Sequence, residues 1–125
     1  MEQYDPLIEP DPEEWLELDE QERIQLVEDY HRRARVRLPH RGRTMHAIMH
    51  AAVENQIAAD DPSLVRPTIA RLMAEGLDRH DAVHAVAAIM LVQTQTIVRD
   101  ETAFSTEHYL SGLASLTAES WRRSG

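Results

Sequence analysis

The sequence predicts an all-α fold in which about five helices form a compact bundle or orthogonal array. Apolar residues recur at helical spacing through most of the chain, and helix-capping residues precede these stretches. Neither the period-2 alternation of strands nor an Asn-Gly hairpin turn occurs. With 125 residues, 42% of them hydrophobic and 28% charged, the chain has the size and composition of one globular domain.

The first twelve residues differ in composition from the rest. They contain four acidic residues and three prolines, which favours an extended arm over residues 1–12. A single helical domain over residues 13–125 follows, and Trp15 and Leu16 are expected to hold the arm against it.

Capping and loop residues place the first two helices. Asp19–Glu22 has the pattern of a capping box and predicts a first helix that extends to about Val36. Residues 38–42 contain proline and glycine and predict a loop. The apolar periodicity of residues 44–59 predicts the second helix.

The third helix is predicted between an aspartate-proline pair and a glycine. Asp61 is the expected N-cap, Pro62 the first helical residue, and Gly76 the residue that ends the helix. Pro67 either kinks this helix or marks its true start.

The fourth predicted helix is the apolar centre of the fold. Asp78 caps it, and residues 82–92 are almost entirely apolar apart from His84. A helix that is apolar all round is buried. The fifth helix is predicted from the cap Ser105 to about Trp121.

Two pairs of histidines at i,i+4 spacing are the main functional signal. His46 and His50 lie in the second predicted helix, and His80 and His84 in the fourth. Residues four apart lie on one face of a helix. If the two helices pack together, the four imidazoles can converge on one metal ion, as in other helical bundles.

Further side chains could complete such a site. Glu54 follows His50 by four residues, His31 follows Glu28 with the Glu-x-x-His spacing of di-iron bundles, and Asp81 lies between the second pair. There is no cysteine, so the ligands would be nitrogen and oxygen atoms. Such a site permits zinc, iron, manganese or nickel.

Two alternatives assign the histidines a structural role. In the first, they are hydrogen-bonded packing residues of a non-enzymatic interaction module. That module would bind a protein partner or a second copy through the arm with Trp15 or the last helix with Trp121. In the second, the buried histidines must stay neutral in the folded protein. The free energy of unfolding then falls as the pH decreases towards about 6.5, the pKa of histidine in the unfolded chain.

Composition argues against several classes of function. The net charge of −9 disfavours binding to nucleic acid and to anionic membranes. The arginine-rich stretch from Arg32 to Arg43 is interpreted as a solvated helix end rather than an anion site. No apolar run is long enough to span a membrane, and no signal peptide is recognised, which predicts a cytoplasmic protein.

No known catalytic motif assigns a reaction, so enzymatic activity stays open. His80-Asp81-x-x-His84 is similar to the zinc-protease motif, but Asp81 is one methylene shorter than the usual glutamate and no third ligand follows at the required spacing. Neither a phosphate-binding glycine loop nor a nucleophile elbow occurs in the sequence.

The stretch from His46 to Val86 contains His-Ala-x-x-His-x-x-x-Glu-Asn-Gln and then Gly-Leu-Asp-Arg-His-Asp-Ala-x-His-Ala. This pattern resembles a small uncharacterised bacterial family, classed as a domain of unknown function. The resemblance implies an all-helical bacterial protein with recurrent histidines on two helices. It supplies no substrate, cofactor or catalytic residue.

Overall fold

The computed structural model describes residues 1–34, 43–100 and 105–124, and within these ranges it contains helices, turns and irregular segments but no strand. The all-α class is confirmed, but the expected number of about five helices is wrong, because seven are present in the described ranges. The helices are α1 Pro12–Glu17, α2 Glu20–Arg33, α3 Arg43–Ala59, α4 Val65–Ala74, α5 Arg79–Asp100, α6 Thr106–Ser115 and α7 Ala118–Ser124.

Helix α1 was not expected, because its six residues are too few to show a periodic pattern. The Asp11 carboxylate accepts the backbone N–H of Glu14 at 3.0 Å, and Pro12 occupies the first helical position. Trp15 is fully buried, and its indole N–H donates to the side-chain oxygen of Asn55 on α3 at 2.9 Å. Helix α1 therefore fixes the N-terminal segment against α3.

The predicted start of the next helix is confirmed. The Asp19 carboxylate accepts the backbone N–H of Glu22 at 2.8 Å, and the Glu22 side chain reaches back to the Asp19 N–H. Helix α2 is described as far as Arg33, so the expected end near Val36 and the loop over residues 38–42 lie outside the described residues. Helix α3 agrees with the predicted range 44–59.

Helix α4 begins at Val65, so the prediction of Pro62 as its first residue is wrong. The segment before it forms turns: Asp60 has a positive φ of 52°, and the Pro62 carbonyl accepts the Val65 N–H at 3.1 Å. Pro67 then lies in the first helical turn, where the missing N–H is not needed. Of the two predicted roles for Pro67, the structure shows the one that marks the true start.

The predicted end of this helix at Gly76 is confirmed. The N–H of Gly76 donates to the Met73 carbonyl at 3.0 Å, and the N–H of Leu77 donates to the Leu72 carbonyl at 3.1 Å. These two bonds define a Schellman motif, which requires a left-handed residue at Gly76, where φ is +109°.

The predicted last helix is two helices. Ser105 caps α6, accepting the backbone N–H of His108 at 3.2 Å as expected. The chain then becomes extended at Leu116. Thr117 and Ser120 exchange side-chain to backbone hydrogen bonds at 3.0 Å, which caps α7 and stops α6 from continuing towards Trp121.

Helices α3 and α5 pack against each other at the centre, with α1 and α2 against α3, and α4 and α6 against α5. One apolar cluster contains buried residues from each of the helices α3 to α7. A second cluster contains residues of the N-terminal segment, α1, α2 and α3. Helix α5, the expected buried helix, is buried at Ala82, Val83 and Val86, but Val92 is 59% exposed. The apolar stretch of α5 is thus not enclosed at Val92.

None of the described helices has the length and apolar character needed to cross a bilayer.

Replacing Gly76 by alanine is expected to lower the free energy of unfolding by about 1–2 kcal/mol, the usual cost of a left-handed L-residue. The added Cβ would also lie 3.0 Å from Nη2 of Arg122, which is the end of a flexible side chain. Urea denaturation measures the loss. Gly76→Asn is the matched variant and should lose less, because asparagine tolerates positive φ better; an alanine variant as stable as the wild type contradicts the analysis.

Candidate metal centre

Five histidines from three helices meet where α2, α3 and α5 come together. His31 extends from α2, His46 and His50 from α3, and His80 and His84 from α5. Four of them, His31, His50, His80 and His84, each offer a ring nitrogen within 4.8 Å of the others. The two i,i+4 pairs therefore face each other, and His31 lies beside both. These five residues are called the histidine cluster below.

The ring nitrogens of the cluster are spaced like ligands of a single ion. Nε2 of His84 lies 3.0 Å from Nε2 of His46 and 3.4 Å from Nε2 of His31, which is also 3.4 Å from Nε2 of His80. Two nitrogens bound tetrahedrally at about 2.0–2.1 Å from one ion lie about 3.3–3.4 Å apart. Two of the three separations match this value, and the ring nitrogens of the compact group lie within 4.8 Å of one another.

The protonation of His31 follows from its backbone contact. Nδ1 of His31 lies 2.9 Å from the Val27 carbonyl, one helical turn earlier. A carbonyl oxygen only accepts, so Nδ1 carries the ring proton and Nε2 presents its lone pair to His80 and His84. A backbone carbonyl that holds the far nitrogen of a histidine is the usual outer-sphere partner in metal sites.

The lone pair at Nε2 of His31 faces two neighbouring rings. Nε2 of His31 has one lone pair, yet it lies 3.4 Å from both His80 and His84. It can accept a well-directed bond from only one of them. A single cation between the rings would instead accept a lone pair from each.

His50 is held from behind by Tyr4 and Glu54. The Tyr4 hydroxyl donates to Oε2 of Glu54 in a short hydrogen bond and lies 2.7 Å from Nε2 of His50. Because the hydroxyl proton goes to the carboxylate, the hydroxyl oxygen accepts from Nε2–H of His50. Nδ1 of His50 is thus unprotonated, and this fully buried atom has no hydrogen-bond partner among the described residues. A buried acceptor without a partner is costly and needs an explanation.

Glu54, a predicted ligand, lies in the layer behind the histidines. Arg79 donates to Oε1 at 2.7 Å and to Oε2 at 2.8 Å, and both side chains are buried. Arg79 also donates to the Pro6 carbonyl at 2.8 Å, which ties the N-terminal segment to the pair. The carboxylate is therefore occupied by an arginine and a tyrosine, and the four-residue group of ring nitrogens does not include it.

Neither of the other carboxylates considered from the sequence belongs to that group. Asp81 is exposed, and its backbone N–H donates to the Asp78 side chain at 2.8 Å in the first turn of α5. Glu28 is half-buried on α2. Of the two remaining histidines, His108 is exposed on α6 and His40 lies outside the described residues.

Sequence reasoning missed Tyr4 and Arg79. The Tyr4 hydroxyl contacts His50 and Glu54 of α3, which lie 46 and 50 positions away in the sequence. Arg79 contacts Glu54, which lies 25 positions away. No local periodicity links such positions. The available signals were an aromatic residue within a polar arm and an arginine beside His80 at the start of an apolar helix.

Burial keeps the cluster neutral. Desolvation lowers the pKa of His46 and of His80 to about 4, and that of His84 to about 2, with the neighbouring histidines adding to each shift. The pKa values of His31 and His50 are lowered by burial as well. Neutral imidazole is the form that binds metal ions. Burial, followed by the charge of Glu54, raises the pKa of Tyr4, which therefore keeps its proton.

One side of the cluster opens into a cleft of about 340 Å³. His46 and His84 form part of its wall. The rest of the lining consists of Met45, Met49, Ala87, Ala88, Leu91 and Trp121. The cluster is thus accessible from an apolar surface depression rather than fully enclosed.

The sequence matches the family described as "Domain of unknown function (DUF1841)" over residues 2–115. The chain belongs to this family. The match confirms the resemblance to a domain of unknown function, and it spans every residue of the histidine cluster together with Tyr4, Glu54 and Arg79. Searches of curated proteins and of solved structures found no match.

The free energy of unfolding of the metal-free protein is expected to fall as the pH decreases from about 7 to about 4. Histidines of the unfolded chain take up protons near pH 6.5, whereas His46 and His80 in the folded protein do so only near 4. The unfolded state therefore binds more protons in this window. Stability is complete above the unfolded pKa and is lost as the pH falls below it.

Urea denaturation at several pH values measures this dependence. The variant His84→Gln should lose less stability between pH of about 7 and about 5, because one fewer buried ring must be kept neutral. His108→Gln, at an exposed position outside the cluster, is the control and should behave like the wild type. An identical pH dependence of His84→Gln and wild type would exclude this role for His84.

Proposed function

We propose that this protein binds a divalent transition-metal ion through the histidine cluster. The proposal rests on the protonation state of two ring nitrogens in the cluster. Nε2 of His31 and Nδ1 of His50 are unprotonated, and both rings are buried. Both residues belong to the group in which one ring nitrogen of each histidine lies within 4.8 Å of the others. Hydrogen bonds to Val27 and Tyr4 at the opposite ring nitrogens orient these lone pairs.

The donor set restricts the metal. Among the described residues, the compact group contains imidazoles and no carboxylate. Imidazole nitrogen suits zinc, iron, nickel and copper, whereas calcium, magnesium and manganese favour oxygen ligands. Of the four metals that the sequence permits, zinc, iron and nickel are therefore favoured over manganese.

The layer behind the ligands supports the same interpretation. Glu54, through the Tyr4 hydroxyl, polarises the His50 ring and makes its free nitrogen a stronger donor. Arg79 balances the carboxylate and fixes its orientation with two hydrogen bonds. Such outer-sphere partners typically accompany metal-bound histidines.

The alternative of an interaction module has less support. Its expected contact residue Trp15 is fully buried, packs 5.5 Å from the Tyr4 ring and donates to Asn55. Trp121 is half-buried and lines the cleft beside the histidine cluster. Trp15 is therefore not available for contact with a partner.

Metal analysis of untagged protein by plasma mass spectrometry tests the proposal. We expect about one zinc, iron or nickel ion per chain, as purified or after incubation with the metal and gel filtration. The double variant His50→Ala/His84→Ala should lose the metal, and the control His108→Ala should retain it. Failure of the wild type to take up any of zinc, iron, manganese or nickel would refute the proposal.

Removing the Tyr4 hydroxyl is expected to weaken metal binding by about 10–100-fold, the usual effect of losing an outer-sphere partner. Competition with a chromophoric chelator measures the affinity of Tyr4→Phe. The matched control is Tyr109→Phe, since Tyr109 is also buried and its hydroxyl donates to Gln56 at 2.6 Å, outside the cluster. Equal affinities of the two variants would show that Tyr4 does not support the site.

A further inference from the structure

The cleft beside His46 and His84 has the features of a binding site for a small organic molecule. Its volume of about 340 Å³ lies within the range of about 300–1,000 Å³ that is usual for such sites. Its wall contains two members of the histidine cluster, whose Nε2 atoms lie 3.0 Å apart. A molecule in the cleft would therefore lie against the edge of the proposed metal centre.

The residues that line the cleft disfavour a charged ligand. None of the eight described residues that line the cleft carries a carboxylate, ammonium or guanidinium group, and six of them are apolar. An ionic ligand would lose its hydration here without gaining an ionic partner. A neutral apolar ligand would instead bury hydrocarbon surface against Met45, Met49 and Trp121.

The shape of the cleft favours a flat or branched hydrocarbon group. Ala87 and Ala88 on α5 contribute only methyl groups, which leaves space over that helix. The methionines on the opposite helix are unbranched and adapt to different shapes. The two histidines supply the polar end, as is typical of sites in which few polar groups orient an apolar ligand.

The four histidines of the compact group leave a fifth position, on the His46 side, for an ion that accepts five ligands. The compact group within 4.8 Å consists of the other four histidines, and His46 lies outside it while contacting His84. A donor atom that enters from the cleft approaches the metal on the His46 and His84 side. Catalytic metal sites differ from structural ones in keeping such a position open.

We infer that the cleft binds a small, neutral, largely apolar organic molecule that carries one lone-pair donor, and that this donor coordinates the metal of the histidine cluster. The inference rests on the proposed function, because the donor requires the metal. The apolar part of the ligand requires only the cleft.

Three probes separate the two parts of this inference. The compound 4-phenylimidazole combines a nitrogen donor with an aromatic ring, imidazole has the donor alone, and toluene has the ring alone. Binding is followed in zinc-loaded protein by NMR of methionine methyl groups labelled with ¹³C. Met45 and Met49 report on the cleft, and Met73, which lines a different depression, is the internal reference.

We expect 4-phenylimidazole to bind at least about tenfold more tightly than imidazole, and to shift the signals of Met45 and Met49 but not that of Met73. The variant Ala88→Phe, which fills the cleft, should weaken 4-phenylimidazole binding by at least about tenfold and leave the zinc content unchanged. Ala114→Phe, at an exposed position of α6, is the matched control and should bind like the wild type.

The metal content of each sample distinguishes the possible failures. If zinc is present but 4-phenylimidazole binds no more tightly than imidazole, or Ala88→Phe has no effect, the cleft inference is wrong and the metal site stands. If no metal binds, the proposed function and the coordination step fail together. Toluene then decides the remaining part, because an absence of shifts at Met45 and Met49 would show that the cleft is not an apolar ligand site.

Discussion

The buried ion pair between Glu54 and Arg79 fixes the geometry on which the rest of the site depends. It joins α3 to α5 with two hydrogen bonds of 2.7 and 2.8 Å, and both side chains are removed from water. Two charges in a protein interior are tolerated only with close, well-directed pairing. Only a narrow range of positions of α3 relative to α5 satisfies this requirement, so the pair sets how the histidines of the two helices face each other.

The same pair holds the N-terminal segment in place. Arg79 donates to the Pro6 carbonyl, Glu54 accepts the Tyr4 hydroxyl, and Arg33 of α2 donates to the Tyr4 carbonyl at 3.2 Å. Tyr4 is fully buried in consequence, and its ring packs against Trp15 and Tyr30. A segment without helix or strand thus becomes part of the core and covers His50 from behind. Ordering it costs conformational entropy, which these polar contacts and the buried aromatic rings offset.

Local rules were sufficient for much of the fold and for the position of the histidines. Three features depend only on neighbours within a few residues and can be read from the sequence. They are the capping pattern at Asp19, the glycine at position 76 and the i,i+4 spacing of the histidine pairs. The break at Leu116 was missed because a Thr-x-x-Ser cap is a weaker signal than the apolar pattern running across it. Glu54 was recognised from the sequence as a site residue, but its ion pair with Arg79 was not, because the two residues are 25 positions apart.

The proposed metal site accounts for the chemistry of the cluster more fully than packing does. Five imidazoles lie at the junction of three helices, where apolar side chains would usually pack. Burial lowers the pKa of each. The folded protein therefore excludes protons that the unfolded chain would bind near pH 6.5. Packing alone gains nothing from this arrangement, since leucine or methionine would fill the same space without a cost in desolvation. The hydrogen bonds that hold His31 and His50 leave one unprotonated nitrogen on each ring. Binding of a cation would offset the free-energy cost of burying the imidazoles, because one cation accepts several lone pairs.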